Sequence, residues 1–391
     1  MRLVTFSEDS VYAGMVKVPA GMRVVIPEIG ASAFLKACRK ARLAPPRMSG
    51  IGHYVRHYCG QDLNGKTLVA WRGYGIGDQV MWSAILRALK WRWPGATIVN
   101  YAHPRLFQLW AGQPYFECLT EPIPFADWKA ADYHLIGEDL SETDFEPDAD
   151  SHIDLVLRRC GLDPAAIPAA EKLPVITVSQ EARSAAAAWL HAYCPGVAPA
   201  SPRPLILWQL ASSNLQRAYP PVQTQRALRL LAKTLPGAAI VIVARSKDLA
   251  HYPHLRLPPG GVLCLDQPLS TVFALLERAA LVICPDSCIG HAAAAFPQVP
   301  VLSLWGPWPP AFLATYYANH VPLRSPFGCA PCRLHACGLY PRRRHCAGLA
   351  AITPLAIVHK AVDILFTRAG GSGNPDPAQT PAPATERTPA P

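Results

Sequence analysis

Thr67-Leu68-Val69-Ala70-Trp71, then Arg72-Gly73-Tyr74-Gly75-Ile76-Gly77-Asp78, then Gln79 through Trp93 to Pro94-Gly95 is the stretch whose reading decides the fold. The first five residues read as a buried strand. A glycine turn follows, and an amphipathic helix runs from about Gln79 to Trp93 until Pro94-Gly95 stops it. Thr97-Ile98-Val99-Asn100-Tyr101 is the next strand, which completes a βαβ unit. The same order returns further along. A strand at Pro204–Trp208, a helix at about Val222–Leu235, a strand at Ala239–Val243 and a helix at Leu269–Ala279 capped by Ser270 lead to the strand Leu281–Cys284. A short alanine-rich helix and the strand Val299–Leu304 follow. The spacing predicts a chain of two α/β domains.

Working outward, residues 66–200 form the first domain and 201–325 the second, with the proline-rich run from Pro195 to Pro204 between them. Residues 1–65 are an N-terminal extension with short β-like runs at Met15–Val18 and Met22–Ile26, a helix-like run at Phe34–Arg42, and His53 and His57 at a spacing that also suits a metal pair. Asp139 to Asp150 is acidic and loop-like. Residues 326–368 hold a cysteine-rich segment and a last helix started by Thr353-Pro354, with Leu355, Val358, Val362 and Leu365 on one face. Residues 369–391 are rich in Gly, Pro, Ala and Thr and read as a disordered tail.

The 391 residues suffice for two cores, and half of them are hydrophobic. No apolar run reaches the length of a membrane span, and the first residues lack the apolar stretch of a secretory signal, so a cytoplasmic location is expected. The formal charge of +10 favours anionic partners such as phosphates, nucleotides and anionic glycolipids. No basic stripe interleaved with aromatics suggests a nucleic-acid groove.

Two turns carry chemistry. In the first, Gly75 and Gly77 allow a ligand close to the backbone. A dinucleotide fingerprint needs a third glycine where Asp78 stands and an acid at the end of the next strand, where Asn100-Tyr101-Ala102-His103 stands, so a nicotinamide site is rejected. Asp78 is either a helix cap or a base at the mouth of a strand-to-helix crevice. In the second turn, Cys284-Pro285-Asp286-Ser287-Cys288-Ile289-Gly290-His291, Ser287 can cap, Gly290 leaves room, and the free N–H groups suit a diphosphate. The alternative is a capped core helix with an incidental histidine. One such turn in each half points at a shared cleft.

Gly75-Ile76-Gly77-Asp78 with Ala84–Lys90 and Trp93-Pro94, and Asp286-Ser287, Gly290-His291, Ala293–Ala295, Pro300-Val301 and Leu304–Pro307, resemble the signatures of the heptosyltransferases, glycosyltransferase family nine, over roughly residues 66–368. The resemblance implies an α/β GT-B fold, two Rossmann-like domains facing across a cleft, and an inverting transferase without a catalytic metal, usually fed by ADP-heptose. It aligns Asp78 with the base that activates the acceptor, and Asp286, Ser287, Gly290 and His291 with the donor loop. Arg217 falls where members place a basic residue near the phosphates, and Asp248 is a candidate for the ribose side. Cys288 stands where members usually carry glycine, and the loop from Ser212 to Arg217 departs from their pattern. The acceptor is a glycan, a lipopolysaccharide or other glycolipid, or a protein. Peripheral contact with the inner membrane and a homo-oligomer are compatible. A sugar-nucleotide epimerase or hydrolase, and a non-catalytic binding scaffold, are the alternative readings.

Cys329, Cys332, Cys337 and Cys346 crowd into one short stretch of a chain with twelve cysteines. A CxxC pair with two further thiols suits tetrahedral zinc or iron as a structural staple, with disulfides or free thiols as the other outcomes. The arrangement also resembles the cysteine finger of the autotransporter heptosyltransferase branch, which implies iron and a protein acceptor.

Overall fold

The computed structural model describes residues 56–73, 75–137, 151–197, 203–337, 339–340 and 344–367 in full, together with the backbone of residues 368–369 and of five strands near the N-terminus. Those strands are β1 (Arg2–Phe6), β2 (Ser10–Tyr12), β3 (Val16–Val18), β4 (Arg23–Ile26) and β5 (Ala41–Leu43). β1 lies between β4 and β5, antiparallel to both, while β2 and β3 form a hairpin. The β-like runs of the extension are thus strands. Ala41 and Arg42, expected at the end of a helix, pair with β1 instead, and the rest of that helix expectation lies outside the described residues. So do His53, the acidic run 139–150 and the tail beyond 369; His57 makes an isolated bridge with His134.

The first α/β unit contains β6 (Thr67–Trp71), α1 (Ile76–Arg92), β7 (Thr97–Ala102), β8 (Glu117–Thr120), β9 (Ile123–Pro124), α2 (Phe125–Ala130), β10 (Tyr133–Ile136), α3 (His152–Arg159) and α4 (Gln180–Tyr193). Its sheet is parallel with order β10-β6-β7-β8, and β9 pairs outside it with β3. α1 starts three residues before the predicted Gln79, because Gly75 takes the N-cap and the glycine turn runs straight into the first helical turn.

The second unit contains β11 (Leu205–Gln209), α5 (Pro221–Thr234), β12 (Ala239–Ala244), β13 (Gly261–Leu265), α6 (Leu269–Glu277), β14 (Leu281–Pro285), α7 (Cys288–Ala293), β15 (Val301–Trp305), α8 (Pro310–Leu313) and β16 (His320–Arg324). Its sheet is parallel throughout, in the order β13-β12-β11-β14-β15-β16. β12, β14 and β15 are buried along their whole length, as expected of parallel strands covered on both faces. Ser270 does not cap α6: Pro268 holds the N-cap position and Ser270 lies inside the first turn.

α9 (Ala347–Ala351) and α10 (Pro354–Ala369) close the chain. α10 packs on α5 through Ile357, Val358 and Ala361. Leu355, expected on the buried face, is exposed, because the inward stripe is set one position around the helix. The units are fastened together. α4 leans on α6, where Arg183 grips Glu277 through two bonds of 2.8 and 2.9 Å. Buried Lys172 donates to Asp154 at 2.9 Å and to Tyr316 of the second unit at 2.8 Å. Among the described residues no helix is long and apolar enough to cross a membrane.

Candidate active site

Ligands of open parallel sheets gather at the carboxyl ends of the strands where the order reverses. In the second sheet that point lies between β11 and β14, and in the first between β6 and β10. Both points open into one cleft of about 630 Å³ lined by residues of both units, Asp78 and His152 on one side and Arg217, Asp286 and His291 on the other among them. The two turns meet: a Cβ added to Gly77 would lie 3.3 Å from the His291 ring and 3.5 Å from the Cys288 backbone.

On the front wall, Asp78 is the third residue of α1. Its Oδ2 accepts the Gly75 N–H at 3.2 Å, and its side chain keeps 40% of its surface exposed to the cleft. It therefore caps the helix and still presents a carboxylate. Behind it lies Arg72, 4% exposed, with Nη2 3.8 Å from Asp78 Oδ1 and Nη1 donating to the Gly137 carbonyl at 2.6 Å. Gly137 is obligatory there, since a Cβ would come within 2.4 Å of the Arg72 side chain. His152, the first residue of α3, completes this wall, its ring edge-on to Phe312 at 5.7 Å. Burial, with Arg72 and His291 nearby, pushes its pKa down to about 4 and keeps it neutral.

On the rear wall, Asp286 is 4% exposed and held between Arg217 and His291. Arg217 Nη1 donates to Oδ2 at 3.3 Å, and His291 Nε2 lies 3.4 Å from Oδ1, an ion-pair distance rather than a well-formed hydrogen bond. Burial raises the pKa of this carboxyl, but His291 and Arg217 outweigh it and hold the group below the usual carboxylate range. Arg217 also donates to Ser213 Oγ at 2.8 Å, and Ser212 Oγ to the Asp286 carbonyl at 3.1 Å. His291 Nδ1 pairs with the Tyr317 hydroxyl at 3.2 Å. Gly290 packs on Cys284, whose sulfur would be 3.1 Å from an added Cβ. Ser287 occupies the N-cap of α7 without making the capping bond. Cys288 faces the cleft, and burial pushes its thiol up to about 11 against the pull of Arg245 and Arg217.

Among the described residues, five buried polar atoms on this cleft have no hydrogen-bond partner: His152 Nδ1, Gln209 Oε1, Arg217 Nε, Asp286 Oδ1 and Ser287 Oγ. Buried polar groups are rarely left so, and a cluster of them around one cavity marks the place of a polar ligand. One end of the cleft is apolar, lined by Val243, Ala244, Cys264, Leu269 and Val272. Asp248 also lines it, but both its oxygens are taken by Arg245, through Nε at 2.9 Å and Nη2 at 2.7 Å. Asp266, which the sequence did not single out, accepts the Ser246 N–H at 3.0 Å beside it. Arg72, His152, Arg245 and Asp266 were all missed; the glycine at 137 was the sole sequence trace of Arg72.

The cysteine segment reaches the site. Arg333 N–H donates to the Pro307 carbonyl at 2.7 Å, Asn214 Nδ2 donates to the His335 carbonyl at 2.9 Å, and the His335 ring rests 5.5 Å from Trp308 on the cleft rim. The four thiols do not form the expected ligand set. Cys346 is buried at the N-cap of α9 against Gly306 and Gly348, and Cys337 Sγ accepts the Tyr340 N–H at 3.3 Å. Arg333, with φ of 57°, turns the chain directly after Cys332. Among the described residues no group of three or more His, Cys, Asp or Glu side chains is arranged to hold a metal, and the described cysteines form no disulfide. Burial nonetheless raises the pKa of Cys346 together with the charges of Cys332 and Cys329, so three of the four thiols are neighbours.

Two parallel α/β units facing each other across a nucleotide-sized cleft define the class: a GT-B fold. Residues 164–341 then match the family described as Glycosyltransferase family 9 (heptosyltransferase). Lipopolysaccharide heptosyltransferase 1 of Pseudomonas aeruginosa is 40% identical over 73 residues, which spans 19% of this chain and only 20% of that protein. Among solved structures, ADP-heptose lps heptosyltransferase II of E. coli shares 16% identity at a TM-score of 0.57, covering 78% of this chain and 100% of its own. The iron-containing dodecameric glycosyltransferase TibC from enterotoxigenic E. coli H10407 shares 15% at 0.56, covering 84% and 79%. At such identities the likeness is one of fold.

Proposed function

We propose that this chain is an inverting glycosyltransferase that moves a sugar from a nucleoside diphosphate donor, ADP-heptose by kinship, to an acceptor hydroxyl. The observation that carries the reading is the meeting of the two turns at one cleft ringed by five unpartnered polar atoms. The apolar end between Val243 and Val272 accommodates a flat base. Arg217 Nε and the hydroxyls of Ser212, Ser213 and Ser287 then face the diphosphate. Asp286, already paired with Arg217 and His291, offers Oδ1 to a sugar hydroxyl rather than to phosphate. With Arg245 on both its oxygens, Asp248 acts on the ribose side through that arginine.

The acceptor hydroxyl enters on the front wall and gives its proton to Asp78 as its oxygen attacks the anomeric carbon. The bond to the diphosphate breaks on the opposite face, and Arg217 takes up the charge that develops on the leaving oxygen. Arg72, fixed by the Gly137 carbonyl, stands 3.8 Å behind Asp78 and keeps it in place. The acceptor is a glycan, a glycolipid or a protein side chain.

The test is a donor screen by thermal shift with ADP, UDP and GDP sugars, followed by NMR of the product's anomeric configuration. A donor at 100 times its Kd raises stability by about 2.7 kcal/mol. Stabilisation by the ADP sugar and an inverted product are expected. Absence of any donor-induced shift, or a retained configuration, rejects the proposal.

A further inference from the structure

Tyr317 lies between α8 and β16, is buried, and is not among the residues that line the cleft. Its backbone is tied on both sides: its N–H donates to the Ala314 carbonyl at 3.0 Å, and its own carbonyl accepts the His320 N–H at 3.0 Å. Its ring stands edge-on to His291, with centroids 5.9 Å apart, and packs at 5.0 Å on the ring of His320. His320 is bonded in turn through Nε2 to the Gly290 carbonyl at 3.1 Å. The phenol therefore reaches His291 Nδ1, 3.2 Å away, from a fixed position. Burial, with Asp286 nearby, raises its pKa far above the ordinary value, so the hydroxyl keeps its proton.

That proton decides how His291 faces Asp286. Which imidazole nitrogen carries hydrogen is set by what the other one bonds. With the ring proton on Nδ1, a bare Nε2 would face Asp286 Oδ1 across 3.4 Å, lone pair against lone pair. With a proton on each nitrogen, the buried phenol O–H loses its acceptor, a costly loss in a buried place. The form protonated on Nε2 alone satisfies both contacts. We propose that Tyr317 is a positioning residue of the donor loop: its O–H donates to His291 Nδ1, holds the ring proton on Nε2, and so aims that N–H at Asp286 Oδ1 while Arg217 takes Oδ2. Held at both oxygens, the carboxylate keeps one orientation toward the cleft. The consequence for the sugar rests on the transferase reading, in which Asp286 holds a sugar hydroxyl; the position of the proton does not.

Nitrogen-15 NMR of the full chain labelled at histidine, with the His291 signals identified by their loss in His291→Gln, locates the proton at neutral pH. A ring protonated on Nε2 alone is expected in the wild type, and the Nδ1–H or doubly protonated form in Tyr317→Phe. Titration with ADP-heptose and with ADP reads the consequence. Tyr317→Phe should weaken ADP-heptose about fivefold, the worth of one hydrogen bond, and leave ADP within about twofold, a split that general loosening of the fold does not produce. In a His291→Gln background an amide N–H stands toward Asp286 without help from a phenol, so adding Tyr317→Phe should cost less than about twofold. A wild-type ring protonated on Nδ1 or on both nitrogens overturns the proposal, and that result needs no variant to fold. So do a ring unchanged in Tyr317→Phe, equal weakening of ADP and ADP-heptose, and a full fivefold cost in the His291→Gln background. Protein that binds neither nucleotide rejects the transferase reading instead, and the tautomer still decides the role of Tyr317.

Discussion

The two strand-turn-helix corners that meet at the cleft are built alike and placed in opposite environments. Each puts an aspartate at the carboxyl end of a strand and the start of a helix. Asp78 stays 40% exposed, with a backbone N–H at 3.2 Å and a cation held off at 3.8 Å. Asp286 is 4% exposed and pressed against Arg217 and His291. A carboxylate that must accept a proton needs access to it and freedom to move. One that must hold a sugar needs a fixed position and a permanent charge. On the proposed function, the same local motif would serve two jobs, set apart by its surroundings.

The sharpest way to break the comparison is Asp78→Asn. The amide accepts the Gly75 N–H but not a proton, so transfer should fall by about 10²–10⁴-fold with donor affinity and melting temperature nearly unchanged. Initial rates on the folded variant read this directly, and a rate within threefold of wild type, roughly 0.65 kcal/mol, would demote Asp78 to a cap. Asp286→Ala should fail differently. It strands the half-buried Arg217 guanidinium and the buried His291 ring, at a cost of about 3 kcal/mol of stability or less. Urea midpoints measure that, and a variant as stable as wild type would show that the pair is not buried in solution.

Acid sensitivity follows from histidines that are held neutral. Burial first, then neighbouring charge, lowers His152 to about 4 and His320 to about 3 from 6.5. Above pH 6.5 neither the folded nor the unfolded form is protonated there, and the groups contribute nothing to pH dependence. Below it the unfolded chain takes up protons that the folded chain refuses. Stability therefore drops by about 1.4 kcal/mol per pH unit for each, down to about pH 4 for His152. Urea melts at pH 7 and pH 5 test this. His152→Gln should flatten the slope, and an equal slope in both proteins would mean that the ring is solvated.

The fold was legible because its signals are local. β6, β7, β11, β12, β14 and β15 fall within two residues of the apolar runs that announced them, and both glycine turns lie where a strand gives way to a helix. What stayed hidden depends on partners far along the chain. Arg72 acquires a role through Gly137, which β10 brings alongside β6. His152 matters through Phe312 and the facing wall, and Asp248 is taken by an arginine whose side chain folds back from three residues earlier. Cysteine spacing announced four thiols but not their directions, which the turn at Arg333 sets. The capping roles given to Ser270 and Ser287 held only in part, since a serine near a helix start is one candidate among several: Pro268 took the position expected of Ser270, while Ser287 took the N-cap without making the capping bond.

The smallest expected effect tests the contact between the corners themselves. Gly77 is the second residue of α1, where alanine favours a helix by roughly 0.5–1 kcal/mol. Its Cβ would stand 3.5 Å from the Cys288 backbone, an ordinary contact, but 3.3 Å from the His291 ring, a tight one. The ring must yield by a few tenths of an ångström, and it is held by Asp286 on one nitrogen and Tyr317 on the other. Gly77→Ala should therefore leave stability within about 1 kcal/mol of wild type while lowering kcat/KM several-fold, since small displacements at a reacting centre weigh more on rate than on folding. Thermal melts and steady-state kinetics on one preparation separate the two. A variant that melts higher and turns over as fast would mean that the corners stand apart in the working enzyme, and that the cleft closes on its donor by some other contact.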